Sequence, residues 1–408
     1  MKIKIQSKRV LIGIILLLPL FKPAGIECIP IINMAFKMMK MISIIILTVY
    51  VMSKLLKVKI EKKILKAIIS LGAFWVIYGL NSINNGTLDG SLLGNICISI
   101  LLMGAVYYVS RTSYYQHYVK ALDIIFSCWI IINIVSLFLV RDGYTPFGLT
   151  GEEYNYFLGL DNYSAFAVVP MLGILYFFDF NIYRKIRMKE KILYIGSLLS
   201  YLYVKSATAV FAFGILGLFL ILQRYWNVLC RVITVRRVAA FLVILFILIY
   251  MFDFQNIFYS FLTSSVLGKG EEYYGITLNS RTIIWEYAMN LIKKKPLLGY
   301  GALSEQEIHN YALYGADHCH NIFIEILFRT GIVGCFFYFY YLFKPFKSIV
   351  MKKENKEFQI LLMFMITILV IGFMDYYPTL SYLYLFYAVV YSERNWNKSA
   401  INKRINGV

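Results

Sequence analysis

The chain has 408 residues, of which 60% are hydrophobic and only 15% are charged, and its mean hydropathy is +0.67. No single soluble core of this length requires such a composition, so the composition excludes a soluble globular protein. The net charge is +19, but the basic residues are spread over many loops. Nucleic-acid binding needs one concentrated basic face, so this distribution argues against it and favours lipid headgroups as the acidic partner.

Runs of about 18 or more apolar residues recur along the chain, and each can satisfy its backbone in lipid only as a helix. The sequence therefore predicts an all-α, polytopic integral membrane protein with about twelve transmembrane helices. We expect them at residues 9–21, 38–54, 66–83, 91–109, 120–140, 161–180, 190–204, 206–223, 237–252, 319–343, 358–374 and 379–392.

The distribution of lysine and arginine predicts the orientation of these helices, because short cytoplasmic loops are enriched in both residues. About 30 of the 41 basic residues fall in the loops that are cytoplasmic when both termini are cytoplasmic, so we expect both termini on that side. No fixed repeat and no linker rich in Pro, Gly or Ser divides the chain, so we expect one membrane domain over residues 1–408.

One connection is much longer than the others, residues 253–318, and the alternation of helices places it on the extracytoplasmic side. Long ordered loops usually carry function. Within it, "SRTIIWEYAMNLIKKK" predicts an amphipathic helix that Pro296 ends, with an apolar face of Ile284, Ala288, Leu291 and Ile292. Two placements remain open: along the membrane surface with Trp285 and Tyr287 at the interface, or packed on the bundle.

The predicted tenth helix begins with groups that are costly in hydrocarbon. At helical spacing, Asn321, Glu325 and Arg329 form one polar stripe, with His320 one position away from its top. Each ionisable group costs about 2.5–3.5 kcal/mol at the centre of a bilayer, so the stripe should face the bundle or a wet cavity. Glu325 and Arg329 are interpreted either as an internal ion pair or as part of a functional site that begins at His320.

Three of the four histidines lie close together in the sequence, at His309, His318 and His320. A His-x-His pair can bind metal, but the nearby candidates Asp317 and Cys319 are merely adjacent, so the spacing favours no metal site. A neutral imidazole near pH 7 is better suited to take a proton from a hydroxyl group.

Three cations are candidates for binding an anion. Arg281 opens the amphipathic helix, where its guanidinium and the free N–H groups of the helix could meet one phosphate; contact with lipid headgroups is the alternative. Lys205 lies in the turn between the seventh and eighth helices, and an interfacial lysine is the simpler interpretation. Arg141 begins another outward loop.

These residues resemble a known signature. Ser280-Arg281, Trp285, Pro296, Gly299 and Gly301, then His320-Asn321, Glu325, Gly331 and Gly334, resemble the pattern of the O-antigen polymerase and O-antigen ligase superfamily. The resemblance is close over residues 280–334, and the topology extends it. Many members also carry an arginine after a serine before the eighth helix, where this chain has Ala207. Lys205 is our expected substitute.

The resemblance implies a metal-independent glycosyltransferase of the bacterial plasma membrane without a cofactor, which uses undecaprenyl-pyrophosphate-linked oligosaccharide on the outer face. His320 would then be the base, with Asn321 and Glu325 orienting it or the acceptor. Arg281 would bind pyrophosphate, with Lys205 and Arg141 as lesser candidates. Membrane lipids, a chain-length regulator and a flippase are the other expected partners.

Three functions remain open at this point. A repeat-unit polymerase and an O-antigen ligase use the same donor and differ in the acceptor. The abundance of Ile, Lys, Asn, Tyr and Phe is consistent with an AT-rich genome, where capsule and O-antigen clusters often lie, and it favours the polymerase. A flippase or transporter of lipid-linked sugar, with Glu325 and Arg329 lining the path, is a third possibility.

Overall fold

A computed structural model of the chain describes residues 2–140, 142–147, 153–225, 278–310, 312–351, 355–375 and 380–392, with a few positions between 234 and 244. The predicted helix at 237–252 lies largely outside these residues, as do Arg141 and the first part of the long connection. The contacts of the chain divide it into two compact units. The first comprises residues 1–68, 94–204 and 379–408, and the second comprises residues 69–93 and 205–378.

The first unit is built around a buried helix, α6 (Asp161–Tyr183). Its other helices are α1 (Lys2–Leu17), α2 (Pro30–Leu55), the start of α3 (Lys62–Asn84), most of α4 (Gly90–Val109), α5 (Tyr115–Leu139), α7 (Met188–Tyr203) and α13 (Ser381–Tyr391). Helix α5 packs against α1, α6 and α7, while α13 packs against α6. Nearly every side chain of α6 is buried, which explains why its sequence is apolar all round.

Two predicted helix boundaries in this unit are wrong for reasons that involve proline. Helix α1 ends at Leu17 instead of residue 21, and a 3₁₀ turn over Leu18–Phe21 carries Pro19 at its start. Helix α2 begins at Pro30, eight residues before the predicted residue 38, because proline suits the first turn of a helix. Two short antiparallel strands, β1 (Thr145–Phe147) and β2 (Glu153–Asn155), are a small addition to this otherwise helical unit.

A network of charged residues, called here the arginine network, joins three helices of the first unit. The Arg187 guanidinium lies 2.5 Å from the Asp179 carboxylate and 3.0 Å from that of Glu190. Lys189 contacts Asp123, and its ammonium group donates to Ser127 at 2.9 Å. Asp179 and Glu190 are almost fully buried, so their charges need these partners.

The second unit contains α8 (Ala207–Ile221), α9 (Leu278–Lys294), α10 (Glu305–His309), α11 (Ile322–Val350) and α12 (Lys356–Ile371), with the end of α3 and the start of α4. Helix α11 packs against α9 and α12, and α12 also packs against α8. Within the described residues, six helices are long and apolar enough to cross a membrane: α2, α3, α4, α5, α6 and α11. The chain is therefore a polytopic helical membrane protein.

Candidate active site

Helix α9 confirms the amphipathic prediction but not the placement of Trp285 at a membrane surface. Ile284, Ala288 and Ile292 are buried in a cluster with Leu313 and Phe328, among others, while Glu286 and Asn290 are exposed. Trp285 is only 2% exposed, and its indole N–H donates to the carbonyl of Cys319 at 2.7 Å. The tryptophan is thus buried because its polar atom has a partner inside the protein.

Residues 296–301, called here the strap, run beside a break in α11 at Gly331. In a regular helix the carbonyls of Phe328 and Arg329 would accept from the amides of Ile332 and Val333. Here the two carbonyls accept instead from the amides of Tyr300 and Gly301, at 2.9 and 2.8 Å. The two amides donate to the carbonyls of Pro296 and Leu297. The strap thus satisfies all four groups that the break frees.

Glycine is required on both sides of this contact. Gly331 has φ +61°, and a Cβ there would collide with the backbone of Leu297. Gly299 has φ +72°, and a Cβ there would lie 2.5 Å from the carbonyl oxygen of Phe328. The absence of a side chain at Gly299 and Gly331 therefore permits this close backbone approach.

Helix α11 begins at Ile322, so Asn321 and His320 precede it instead of lying on its first turn. The Asn321 side chain caps the helix by accepting from the amides of Phe323 and Ile324, and it donates to the carbonyl of Phe373 at 3.2 Å. His320 has φ +48°, a left-handed conformation that is uncommon for a residue with a side chain. The direction of its ring is therefore set by a constrained turn.

Groups on two other parts of the unit hold this turn in place. The amide of Cys319 donates to the Glu325 carboxylate at 2.7 Å, and its carbonyl accepts from Trp285. His320 follows directly in the chain, so Glu325 and Trp285 position it without touching it.

The site itself is a cluster of four residues, Asp317, His318, His320 and Asp375, called here the histidine cluster. One carboxylate oxygen of Asp375 lies 3.1 Å from His318 Nε2 and 3.3 Å from His320 Nδ1. Asp317 accepts from His318 Nδ1, and the two imidazole ring centres are 3.9 Å apart. His318, His320 and Asp375 are buried, and their ligand atoms are close enough together to hold a metal ion.

The cluster gives its two histidines opposite protonation states. Burial alone would lower the pKa of His318, but Asp317 and Asp375 on either side raise that pKa to about 10. For His320, burial and then the charge of His318 lower the pKa to about 4, against the opposing effect of Asp375. Asp375 itself has a lowered pKa, because the two histidines outweigh the effect of its burial. At neutral pH His318 is charged and His320 is neutral.

The polar stripe of α11 contains an ion pair. Arg329 Nε lies 2.8 Å from the Glu325 carboxylate, and both side chains are buried. The same guanidinium donates to the carbonyl of Gly301 at 2.9 Å and to that of Asp317. The pair therefore links the strap, α11 and the segment that carries the histidine cluster, as the internal ion-pair interpretation requires.

The three cation candidates differ in position. Arg281 lies in the first turn of α9, half-buried, and its charge contributes to the lowered pKa of His320, so the two residues are close. Lys205 lies in the turn before α8, half-buried, with φ +59°. Arg141 lies outside the described residues.

Asp375 is the functional residue that the sequence reasoning missed. It follows α12 directly and lies 55 residues from His320 in the chain, so no local spacing joins the two. The signal was a lone acidic residue at the end of an apolar run, "LLMFMITILVIGFMD", where a charge needs a buried partner.

These features define the class of protein: a multi-pass helical membrane protein with buried titratable groups gathered at the end of one spanning helix. Residues 192–339 match the family described as O-antigen ligase. The match includes α8, α9, the strap, His320 and the first part of α11, and it confirms the resemblance inferred from the sequence. No curated protein matches the chain.

Proposed function

We propose that the protein is a membrane glycosyltransferase that polymerises oligosaccharide repeat units, carried on undecaprenyl pyrophosphate, into O-antigen or capsular polysaccharide. The observation that carries the proposal is the pairing of buried, neutral His320 with Asp375, close to Arg281. His320 and Arg281 both lie in the segment that is similar to the O-antigen ligase family.

The pairing suits His320 to act as a general base. When Nδ1–H donates to Asp375, the lone pair of Nε2 remains available for a proton. The acceptor hydroxyl gives its proton to Nε2 while its oxygen attacks the anomeric carbon of the donor. The bond from that carbon to the pyrophosphate oxygen breaks on the opposite face, so the carbon is inverted. Asp375 stabilises the imidazolium that forms.

The departing lipid pyrophosphate gains charge, and nearby cations stabilise it. Arg281 is the main candidate, because it lies in the first turn of α9, where the positive end of the helix dipole adds to its charge. Lys205 is a lesser candidate. Helices α8 and α12 pack together. When two such helices cross a membrane in opposite directions, the start of one lies beside the end of the other, which would bring Lys205, before α8, to the side where Asp375, after α12, lies. Arg141 stays a candidate from the sequence alone.

Glu325 and Asn321 act in this proposal as positioning residues, which hold the turn that bears His320. With protein cations around the leaving group, the transfer is proposed to need neither metal nor cofactor. The proposed location is the bacterial plasma membrane, with the site on its extracytoplasmic face. Membrane lipids, a chain-length regulator and a flippase complete the proposed partners.

The second candidate is a ligase that transfers the finished polymer to a lipid, wall or protein acceptor, as the description of the matching family suggests. The residue composition favours the polymerase. A transporter is disfavoured, because Glu325 and Arg329 are buried and bonded to each other and to backbone. Purified protein that extends a lipid-linked oligosaccharide without an energy source would exclude a role in transport alone.

The test compares polysaccharides in the native strain with His320→Ala or Arg281→Ala, and with His309→Ala as the matched control. His309 is exposed on α10, so its replacement should leave the polymer unchanged. The polymerase proposal expects both site variants to accumulate single lipid-linked repeat units. Accumulation of long lipid-linked polymer would establish the ligase instead, and normal surface polysaccharide with both site variants would refute both candidates.

A further inference from the structure

The histidine cluster has the geometry of a metal site as well as that of a catalytic base. In a tetrahedral zinc site with bonds of about 2.0–2.1 Å, neighbouring ligand atoms lie about 3.3 Å apart. The Asp375 oxygen lies 3.1 Å from His318 Nε2 and 3.3 Å from His320 Nδ1. One ligand atom from each residue lies within 4.8 Å of the others, and all three residues are buried. A single ion could thus reach three protein ligands.

The surroundings of His318 strengthen the fit. Asp317 contacts Nδ1 of this ring, which leaves Nε2 facing Asp375. Histidines that bind metal almost always donate their second nitrogen to a carboxylate, a carbonyl or water, which fixes the tautomer and makes the ligating nitrogen more basic. His318 has this arrangement without any change of rotamer.

Charge also favours a divalent ion. Asp317 and Asp375 bring two carboxylates to the cluster. The positive charge of Arg281 helps to lower the pKa of His320 and would also repel a cation. The two carboxylates, however, are in direct contact with the ligating rings. A divalent ion held by these rings would balance the charge of both carboxylates.

We propose that His318, His320 and Asp375 bind Zn²⁺ and that the bound ion inhibits the transferase. Imidazole and carboxylate ligands suit Zn²⁺ among the divalent metals. When Nδ1 of His320 binds the ion, the proton of the neutral ring must lie on Nε2, so Nε2 has no lone pair left and His320 can no longer serve as the base. The inhibition rests on the proposed function, whereas the binding does not. The catalytic step itself needs no metal.

Binding is tested on the purified full-length protein in detergent, after treatment with EDTA and its removal. Zn²⁺ is titrated by calorimetry, and Co²⁺ is used as a spectroscopic probe of the ligands. Wild type and His309→Ala should hold one ion per chain. Asp317→Asn, which removes the negative charge beside His318 Nδ1, should bind roughly tenfold or more weakly, and His318→Ala should bind more weakly still.

Inhibition is tested by extension of a lipid-linked oligosaccharide. Wild type and His309→Ala should lose activity when Zn²⁺ is added and regain it with EDTA. Wild type that holds no Zn²⁺, or that holds it equally well after His318→Ala, would overturn the site. Zn²⁺ that binds without inhibiting, or that restores a protein inactivated by EDTA, would overturn the inhibitory role. A fully active His320→Ala variant would refute the proposed base and leave the binding result standing.

Discussion

The arginine network of the first unit and the histidine cluster of the second are both buried groups of opposite charges, yet they are built from different residues. The network pairs carboxylates with Arg187 and Lys189, two side chains that stay charged at neutral pH. The histidine cluster pairs carboxylates with two imidazoles, and their surroundings raise the pKa of His318 and lower that of His320. Both regions hold a titratable group, since burial and the neighbouring Asp179 raise the pKa of Glu190 in the network to about 7, but only the cluster offers a neutral imidazole close to Arg281.

Burial of charge therefore does not by itself mark an active site. Perturbed titrating groups gather at functional sites, but structural ion pairs perturb their neighbours too. A buried imidazole that is neutral at pH 7, close to a cation able to bind an anion, separates the two cases. The predictions below test that separation, beginning with the largest expected effect.

The sharpest test replaces one buried carboxylate in each region by its amide. Asp375→Asn should reduce polysaccharide synthesis by about 10²-fold or more, because the amide cannot stabilise the imidazolium of His320. Asp179→Asn removes a carboxylate of similar burial from the arginine network. It should lower the thermal stability of the purified protein while synthesis per folded molecule stays normal.

Polymer per folded protein and the midpoint of thermal unfolding are the two measurements. If Asp179→Asn abolishes synthesis in protein that is folded and abundant, the distinction between the two regions is wrong.

A second test asks whether Glu325 serves the chemistry or the fold. Glu325→Gln leaves the Arg329 guanidinium buried without its carboxylate, which costs about 3–5 kcal/mol in comparable buried pairs. We expect a large fall in thermal stability and in yield. The double variant Glu325→Gln with Arg329→Met should recover part of the stability, since no buried charge is left. Unchanged stability with lost synthesis would make Glu325 a catalytic residue.

The smallest expected effect concerns Trp285. Trp285→Phe removes the hydrogen bond to the Cys319 carbonyl, which is worth about 1 kcal/mol, and some buried volume. A fall of a few fold in synthesis is expected, because the turn that bears His320 loses one of the hydrogen bonds that hold it. Tyr287→Phe on the exposed face of α9 is the control. Equal effects of the two substitutions would argue against a positioning role for the tryptophan.

Local spacing was enough to predict several parts of this site. Helical periodicity places the apolar residues of α9 on one face and Glu325 beside Arg329. Pro296 indicates where α9 ends. Close backbone approach at Gly299 follows from the absence of a side chain. These features depend on residues that are near each other in the chain, so the sequence contains them directly.

The remaining features depend on contacts between distant segments. Asp375 completes the histidine cluster from 55 residues away, and nothing in the spacing of His318 and His320 indicates it. The sequence left two placements of Trp285 open, at a membrane interface or packed on the bundle, and the buried hydrogen bond of its N–H to the carbonyl of Cys319 decides for the interior of the protein. Asn321 suits a polar stripe and a helix cap equally well, and only the start of α11 decides between them.

The break in α11 has a consequence for how this part of the protein opens. The strap and the helix exchange four backbone hydrogen bonds in which each segment both donates and accepts. Neither can leave the other without exposing unpaired polar groups in an apolar setting, which is expensive. The amides of Tyr300, Gly301, Ile332 and Val333 should therefore exchange with solvent deuterium as one cooperative unit, although some thirty residues separate the two pairs.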